Sequence, residues 1–441
     1  MTKVFHRAPN ATYPVATHGE GAYIFDTSGK KYLDACGGAA VSCLGHSNQS
    51  VNDAIKTQLE KISFAHTGFF TNPAVEELAE FLVARAPGDL DSVYFVSGGS
   101  EAVEAGLKLA RQYFLERGET KRTRFISRRQ SYHGNTLGAL SAGGNEWRKE
   151  PYAPLLMPVA LISPCYAYRE QRAEESEFEF GQRVANELEA AILEAGPETV
   201  CAFICEPVVG ATLGAVSPVP GYFKRIREIC DKYGVLLILD EVMCGMGRTG
   251  SLFAIEQEDI SPDILVTAKG LGAGYQPIGA MMASKEIFET IRQGTGFFQH
   301  GHTYMGHPLA CAASLAVQKY IVENDLIENV VSKGVELINA LESEFGQHPH
   351  VGDIRGRGLF QGLELVQDRE TKQPFDPSLK LHAQVKSAAM EAGLMCYPMG
   401  GTVDGRTGDH ILLAPPFIVT SDQIDEIVSK LTLALKSVLP A

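Results

Sequence analysis

Lys269 stands at the end of a short apolar run, in the segment Ile264-Leu-Val-Thr-Ala-Lys-Gly270. Such a run predicts a buried strand, and a lysine directly after it is hard to explain as a surface charge. Burial and nearby positive charge would lower the pKa of its amine and free it to form an imine with an aldehyde. The alternative is a lysine whose charged end reaches out of the sheet into water.

Asp240 has a similar position, directly after the apolar residues Val235 to Leu239. Ligands of open α/β sheets bind at the carboxyl ends of the strands. A buried carboxylate needs a cation or a strong hydrogen-bond donor, and a protonated pyridine nitrogen would serve. The alternative is an aspartate that only caps the backbone where the strand ends.

The segment Ser97-Gly-Gly-Ser100 lies between a predicted strand and a predicted helix. Glycines and a hydroxyl at such a point can direct backbone N–H groups and the positive helix end at a phosphate. The alternative is an ordinary glycine turn.

Three histidines, His300, His302 and His307, share one loop rich in glycine and proline. Their spacing is not that of metal ligands on a helix, and the glycine and proline positions favour a structured loop. We therefore expect no metal site.

A sheet must bring these strand ends together. Short apolar runs alternate with helical patterns through the middle of the chain, which is typical of a mainly parallel sheet covered by helices on both faces. Helices are predicted after Ser100 and from Tyr222 to Tyr233, the second ending at Gly234. The predicted strands are Val93–Val96, Arg124–Ser127, Val200–Cys205, Val235–Leu239, Ile264–Thr267 and Gly279–Ala283.

The two ends of the chain have a different pattern. Residues Gly21 to Leu33 alternate like a hairpin around Asp26-Thr-Ser-Gly29. Thr420 and Gln423 form a capping box ahead of a closing amphipathic helix. We predict a large α/β domain over residues 59–325 and a smaller α+β domain built from 1–58 and 326–441.

Composition and charge exclude several classes of protein. The chain has 441 residues, 45% apolar and 21% charged, which is typical of a globular protein with sizeable cores. Its net charge of −14 disfavours nucleic acid and anionic membrane surfaces as partners. Nine cysteines without a Cys-x-x-Cys pair favour free thiols in a reducing compartment. The start lacks the apolar core of a signal peptide and no apolar run could span a membrane, so we expect a cytoplasmic protein.

Together, the segments resemble one family, the class III (ω-type) aminotransferases of pyridoxal-phosphate (PLP) fold type I. The resemblance covers nearly the whole chain, and it implies a PLP cofactor, an amine donor, a keto-acid acceptor and a homodimer with a shared active site, possibly a tetramer. The matching segments, in the family's order, are Ser97-Gly-Gly-Ser-Glu-Ala102, Tyr132-His-Gly134, Glu206-Pro207, Leu239-Asp-Glu241, Thr267-Ala-Lys-Gly270 and His302-Thr-Tyr-x-Gly-His-Pro308.

The resemblance also implies roles for individual residues. Lys269 matches the family's Schiff-base lysine, which moves the proton between substrate and cofactor. Asp240 matches the carboxylate that keeps the pyridine nitrogen protonated, so that the ring can accept electrons. Where the family usually has a serine, Gly98 stands here, so one phosphate contact is expected to be missing. The other implied cofactor residues are Gly99 and Ser100 at the phosphate, the stacking ring Tyr132, His133, Glu206, the covering residue Val242, and Thr303 from the neighbouring subunit.

Two departures from the family bear on the substrate. Members that bind ornithine and related amino acids carry a Glu and an Arg where this chain has Ala211 and Leu412, so ornithine, acetylornithine and 4-aminobutyrate are disfavoured donors. Arg406 lies in a glycine-rich loop, and we expect it to swing in and bind a keto-acid carboxylate, as the mobile arginine of ω-aminotransferases does. The alternative is a solvated loop arginine. Phe70 is a further expected substrate contact.

The predicted reaction is a ping-pong transfer of an amino group from an amine or ω-amino acid to a keto acid. The loop from Thr303 to Pro308 resembles the pyruvate-using branch of the family, so pyruvate is the expected acceptor. The alternatives are a diaminopelargonate-type aminotransferase, or a PLP-dependent ammonia-lyase or racemase on the same fold.

Overall fold

Strands and helices alternate through the middle of the chain in the computed structural model, which describes residues 2–440. None of the described helices is long and apolar enough to cross a membrane. The strands are β1 (Ala16–Glu20), β2 (Tyr23–Asp26), β3 (Lys31–Asp34), β4 (Leu90–Val96), β5 (Arg124–Arg128), β6 (Ala160–Ile162), β7 (Val200–Cys205), β8 (Leu236–Asp240), β9 (Ile264–Thr267), β10 (Gly279–Ser284), β11 (Val351–Arg357), β12 (Phe360–Leu365), β13 (Leu394–Met395), β14 (Tyr397–Gly400) and β15 (Asp409–Leu413). The helices are α1 (Gly37–Ala40), α2 (Gln49–Lys61), α3 (Pro73–Val83), α4 (Gly99–Glu116), α5 (Leu137–Ala142), α6 (Glu146–Lys149), α7 (Ala167–Glu170), α8 (Glu177–Ala195), α9 (Tyr222–Tyr233), α10 (Lys285–Gln293), α11 (Pro308–Glu323), α12 (Leu326–Phe345), α13 (Leu381–Glu391) and α14 (Ser421–Val438).

The predicted mainly parallel sheet is confirmed. Within the described residues it has seven strands in the order β4-β10-β9-β8-β7-β5-β6. The pairs from β9 to β6 are all parallel, whereas β10 is antiparallel to both of its neighbours, β9 and β4. The strand β4 therefore runs in the same direction as β9. As a result the carboxyl ends of β4, β5, β7, β8 and β9 lie at one edge of the sheet.

Both faces of this sheet are buried, as a near-continuous apolar strand requires. In β8, Leu237 and Leu239 pack into one hydrophobic cluster with α8 and α9. Leu236 and Ile238, on the opposite face, pack into a second cluster with α4. Since Leu236 to Leu239 are all apolar and buried, Asp240 stands out as the polar residue at the carboxyl end of β8.

Local signals in the sequence fix several element ends. The helix α9 ends at Gly234, whose φ of 60° lies in the left-handed region that glycine adopts freely. The predicted capping box opens α14, with both hydrogen bonds between Thr420 and Gln423 present. The predicted hairpin is formed by β2 and β3.

The two ends of the chain meet in one hydrophobic cluster, which contains Leu33 near the start and Ile427 near the end. The strand β3 pairs in parallel with β13, so that the sheet β1-β2-β3-β13 draws on both ends, and β11-β12-β15-β14 forms a third sheet. The predicted boundary at residue 58 falls within α2, and that at 325 falls between α11 and α12. The division into 1–58, 59–325 and 326–441 stays a prediction.

Candidate active site

A cavity of about 490 Å³ opens where the carboxyl ends of the central strands meet. Most of the predicted cofactor residues line it: Gly99, Ser100, Tyr132, His133, Glu206, Asp240, Val242 and Lys269. They come from five separate segments of the chain. The parallel sheet brings them together, because each segment follows a strand that ends at this edge or opens the helix after it.

Asp240 and His133 form a buried pair at the floor of the cavity. The Asp240 Oδ2 and the His133 Nδ1 are 2.8 Å apart. The Asp240 Oδ1 accepts a hydrogen bond of 3.0 Å from the backbone N–H of Val242, as a simple backbone cap would. Each carboxylate oxygen has a second acceptor position, so Asp240 can still accept from a cationic donor in the cavity.

Glu241, next to Asp240, faces the opposite direction. Its two carboxylate oxygens accept backbone N–H groups of Ala254 and Ile255, at 2.7 and 2.9 Å. Burial raises the pKa of Glu241 to about 8, and the two backbone donors oppose this rise. Glu241 therefore anchors a loop, whereas Asp240 faces the cavity.

Lys269 follows β9, which pairs with β8 so that Val266 lies opposite Asp240. Its φ of 41° is in the left-handed region, a strained conformation for a residue with a side chain, and a 3-10 turn from Lys269 to Leu271 follows it. Desolvation lowers the pKa of Lys269 to about 8, although the carboxylates of Asp240 and Glu206 oppose that change. The amine is therefore far closer to neutrality than a surface lysine.

Glu206 follows β7 and places a second carboxylate at the cavity. Burial raises its pKa to about 7, against the opposing influence of His133. Its Oε2 is buried without a hydrogen-bond partner in the part of the chain that the structure describes. A buried polar atom of this kind points to a partner that the protein alone does not supply.

The amino end of α4 opens at the cavity without a side-chain cap, since Gly98 holds the capping position. The first amide with a backbone acceptor there is Ala102, which donates to Gly98. The amides before it are left without an acceptor in the helix. Two glycines at the amino end of α4 and beside it leave no space for a side chain. A Cβ at Gly99 would meet the Val242 Cγ1 at 2.9 Å, and one at Gly134 would meet the Ser100 Oγ at 2.5 Å.

Three predicted site residues lie outside the cavity of this chain. Phe70 is 67% exposed and does not line the cavity. Thr303 is exposed in a turn ahead of α11, which is compatible with its predicted contribution to a neighbouring subunit. The side chain of Arg406 is 62% exposed and pairs with Glu150 at 3.0 Å. Its predicted movement toward a substrate stays a prediction.

The histidine loop holds two imidazoles in contact, with the Nε2 atoms of His300 and His302 3.2 Å apart. Burial lowers the pKa of His300 to about 4, with Lys108 adding to that effect. Among residues 2–440, no three His, Cys, Asp or Glu side chains are placed to hold a metal ion.

Sequence reasoning missed several side chains of the cavity wall, among them Arg148 and Tyr397. The guanidinium of Arg148 lies 4.7 Å from the centre of the Tyr132 ring. Of the two departures from the family pattern, Ala211 lines the cavity, whereas Leu412 is buried within β15 and does not. Nothing in the local pattern Glu146-Trp-Arg-Lys149 indicates that an arginine there faces a ligand site.

Comparisons with known proteins agree with this geometry. The family model described as Aminotransferase class-III matches residues 5–435. An uncharacterized aminotransferase of Schizosaccharomyces pombe is 45% identical over 439 residues, 99% of this chain and 96% of its own length. The crystal structure of an (S)-enantioselective omega-transaminase from Thermomicrobium roseum has a TM-score of 0.92 and 36% identity, and covers 98% of this chain and 94% of its own.

A second solved structure, the omega transaminase from Pseudomonas jessenii in complex with PMP, gives a TM-score of 0.92 at 34% identity, over 98% of this chain and 96% of its own. The fold is thus that of the PLP fold type I transaminases, and the chain is an enzyme of that class. The resemblance on which the sequence prediction depended is confirmed over nearly the whole chain: the protein belongs to the class III aminotransferases.

Proposed function

We propose that this enzyme transfers an amino group from an amine or ω-amino acid to a keto acid, with pyruvate preferred, on PLP held in the cavity described above. The observation that carries the proposal is that Asp240 ends β8 and Lys269 follows the neighbouring strand β9, at the same cavity as the uncapped end of α4. A reactive amine, a buried carboxylate and a phosphate-compatible helix end are the three groups that PLP requires.

The phosphate fits the amino end of α4. The helix has 18 residues, and its first amides and its dipole favour an anion. Ser100 adds a hydroxyl whose Oγ already accepts the N–H of Asn135 at 3.1 Å. Gly98 has no Cβ, and one built there would meet no atom within 4 Å, so this side of the cradle is open. The missing family serine therefore leaves space that a phosphate oxygen or a water molecule can fill.

The ring of the cofactor fits between Tyr132 and Val242, which both line the cavity. Asp240 would accept from the protonated ring nitrogen, and its bond to His133 holds the carboxylate in place. Glu206, with its unpartnered Oε2, would accept a hydrogen bond from a polar group of the bound cofactor or substrate. This assignment accounts for the Glu206 Oε2, a buried polar atom that the protein itself leaves unpaired.

Lys269 has the acid–base properties that the reaction demands. When bound, the cofactor supplies an electrophilic carbonyl and a ring that accepts the electron pair left on the substrate carbon. At pH 7.5 about a quarter of an amine with a pKa of about 8 is neutral, against roughly one part in a thousand at 10.5. The Nζ of Lys269 can therefore attack a carbonyl, and it can take a proton from carbon and return it, near neutral pH.

We further propose a homodimer, in which Thr303 completes the partner's cavity. Several aromatic side chains near this loop are exposed, among them Phe69 at 81% and Tyr304 at 59%. The Phe64 and Tyr304 rings pack edge to face, 5.8 Å apart. A contiguous apolar surface of this kind is characteristic of an interface. Sedimentation of the purified protein would give twice the chain's 47.7 kDa for a dimer and four times for a tetramer, and a monomer would contradict the proposal.

The cytoplasm remains the proposed location. All nine cysteines are free and buried. Burial raises the pKa of the thiols, for example that of Cys43 to about 12, so they are protonated and unreactive at neutral pH. Free thiols in these numbers are typical of reducing compartments.

The reaction can be tested in two half-reactions with the purified holoenzyme. A panel of amines is added, and loss of the visible absorbance of the bound cofactor is followed. Keto acids are then added in turn to restore the absorbance. We expect pyruvate to restore it faster than 2-oxoglutarate, and Lys269→Ala to respond to neither substrate. Reduction with borohydride and peptide mapping should find the cofactor on Lys269, and an unmodified Lys269 would refute the site assignment.

The alternatives have different signatures in the same assay. A diaminopelargonate-type enzyme would use S-adenosylmethionine as donor. An ammonia-lyase would release ammonia without any acceptor, and a racemase would invert the donor without losing its nitrogen.

A further inference from the structure

Arg148 is a positively charged residue of the cavity wall that the proposed reaction does not yet use. It lies in α6, and its backbone N–H donates to the Oδ1 of Asn145, which caps that short helix. The guanidinium lies 4.7 Å from the ring centre of Tyr132. Stacking on an aromatic face leaves the edge of a guanidinium, where its N–H donors point, free for an acceptor.

No acid neutralises this charge within the described residues. The ion pairs of the chain include one for Arg406, with Glu150 at 3.0 Å, but none for Arg148. Burial raises the pKa of Tyr397, another cavity residue, and the charge of Arg148 opposes that rise. The charge of Arg148 therefore lies toward the cavity, whereas the charge of Arg406 is neutralised by Glu150 at an exposed position.

The segment that carries Arg148 is held firmly. The Asn145 Nδ2 donates to the Gln130 Oε1 at 3.0 Å, and the Gln130 Nε2 donates to the carbonyl oxygens of Gly401 and Thr402, at 2.6 and 3.1 Å. All four groups are buried. A cation fixed in this way binds an anion without first losing much side-chain freedom.

We infer that Arg148 binds the carboxylate of the acceptor keto acid. It thereby makes the enzyme select acceptors that have a carboxylate next to the carbonyl. The inference rests on the proposed function and adds a substrate contact to it. A planar guanidinium with two parallel N–H groups matches the two oxygens of a carboxylate. The other cations at the cavity are less suited: Lys269 is required for the chemistry, and Arg7 is exposed in the segment that precedes β1.

The test compares two acceptors, pyruvate and propanal. Both have a carbonyl group, but only pyruvate carries a carboxylate. With the holoenzyme of Arg148→Leu, the KM for pyruvate should rise roughly 10- to 100-fold, the usual value of a hydrogen-bonded charge. The KM for propanal and for a donor amine without a carboxylate should stay within about twofold, as should the kcat for each. Arg172→Leu, at an exposed arginine that does not line the cavity, is the matched control and should not change the KM for pyruvate. Arg406→Leu and Arg7→Leu test the two arginines that compete for the carboxylate.

Other outcomes would overturn the inference. If Arg148→Leu raised the KM for both acceptors equally, Arg148 would only support Tyr132. If Arg406→Leu or Arg7→Leu alone raised the KM for pyruvate, the carboxylate would bind at that residue and not at Arg148. If the leucine variant fails to retain cofactor, Arg148→Gln replaces it, because glutamine keeps a planar polar group near Tyr132 and removes the charge. This variant should also raise the KM for pyruvate and not that for propanal. Failure of the proposed function is distinguishable, since the wild-type enzyme would then transfer nitrogen to neither acceptor.

Discussion

Replacement of Lys269 by methionine should stabilise the cofactor-free protein in a manner that depends on pH. Desolvation lowers the pKa of this amine from 10.5 to about 8, which corresponds to roughly 3 kcal/mol by which folding disfavours the charged form. Because the side chain is partly accessible at the cavity, we expect about 1–3 kcal/mol. Methionine has a similar length and carries no charge.

The sign follows from the two pKa values. Below about pH 8 the amine is charged in the folded and the unfolded protein, so the full penalty applies. Between about 8 and 10.5 the folded protein loses its proton first, and above 10.5 both states are neutral and the penalty disappears. Lys269→Met should therefore be more stable than the wild type at pH 7, and this difference should shrink as the pH rises to 10.5.

The assay is thermal unfolding of both cofactor-free proteins across this pH range. For a chain of 441 residues, 1–3 kcal/mol corresponds to about 1–3 °C in Tm. Better packing by methionine would add a gain that does not vary with pH, so the diagnostic quantity is the change in the difference between the two proteins. Lys224→Met, at an exposed lysine, is the control and should show no such trend. A difference that stayed constant or grew toward pH 10.5 would refute the argument that the amine is disfavoured as a cation in the folded site.

Three further predictions concern the cofactor groups. Asp240→Asn should lower kcat by about 10²- to 10³-fold at saturating PLP, because the ring nitrogen loses its carboxylate; a kcat above a tenth of the wild type would exclude that role. Gly134→Ala should weaken PLP binding at least about tenfold in an equilibrium titration, since φ is 134° there and the new Cβ would meet the Ser100 Oγ at 2.5 Å; unchanged affinity would show that the cradle tolerates a side chain. Mixed dimers of Lys269→Ala and Thr303→Ala should regain about half the wild-type activity at limiting PLP, because one site then has both native residues; no gain on mixing would assign Thr303 to its own subunit's cavity.

Much of the fold could be predicted from local patterns. All six predicted strands are present, and most differ from the observed bounds by a residue or two at most. Runs such as Val200–Cys205 are apolar on both faces and bounded by polar residues, so burial alone determines them. The closing helix α14 was predictable because Thr420 and Gln423 satisfy its first amides through side chains that are close in sequence.

The candidate site was predictable in part, and for a physical reason. Asp240 and Lys269 each follow a buried strand, so the strand pattern itself places them at the sheet edge. Arg148 lies in a helix of four residues with no apolar periodicity, and it reaches the cavity through a tertiary chain of hydrogen bonds from Asn145 to Gln130 and on to Gly401. These hydrogen bonds join segments that are far apart in sequence, so no local sequence pattern predicts them.

The parallel pairing of β3 with β13 has a consequence for how the protein is made. Leu33 lies opposite Leu394, so the amino-terminal hairpin cannot finish its sheet until nearly the entire chain has left the ribosome. Throughout synthesis β3 is an unprotected sheet edge with apolar neighbours, a surface that invites pairing with other nascent chains. We expect chains that stop short of β13 to aggregate during translation, even though the central sheet in them is complete.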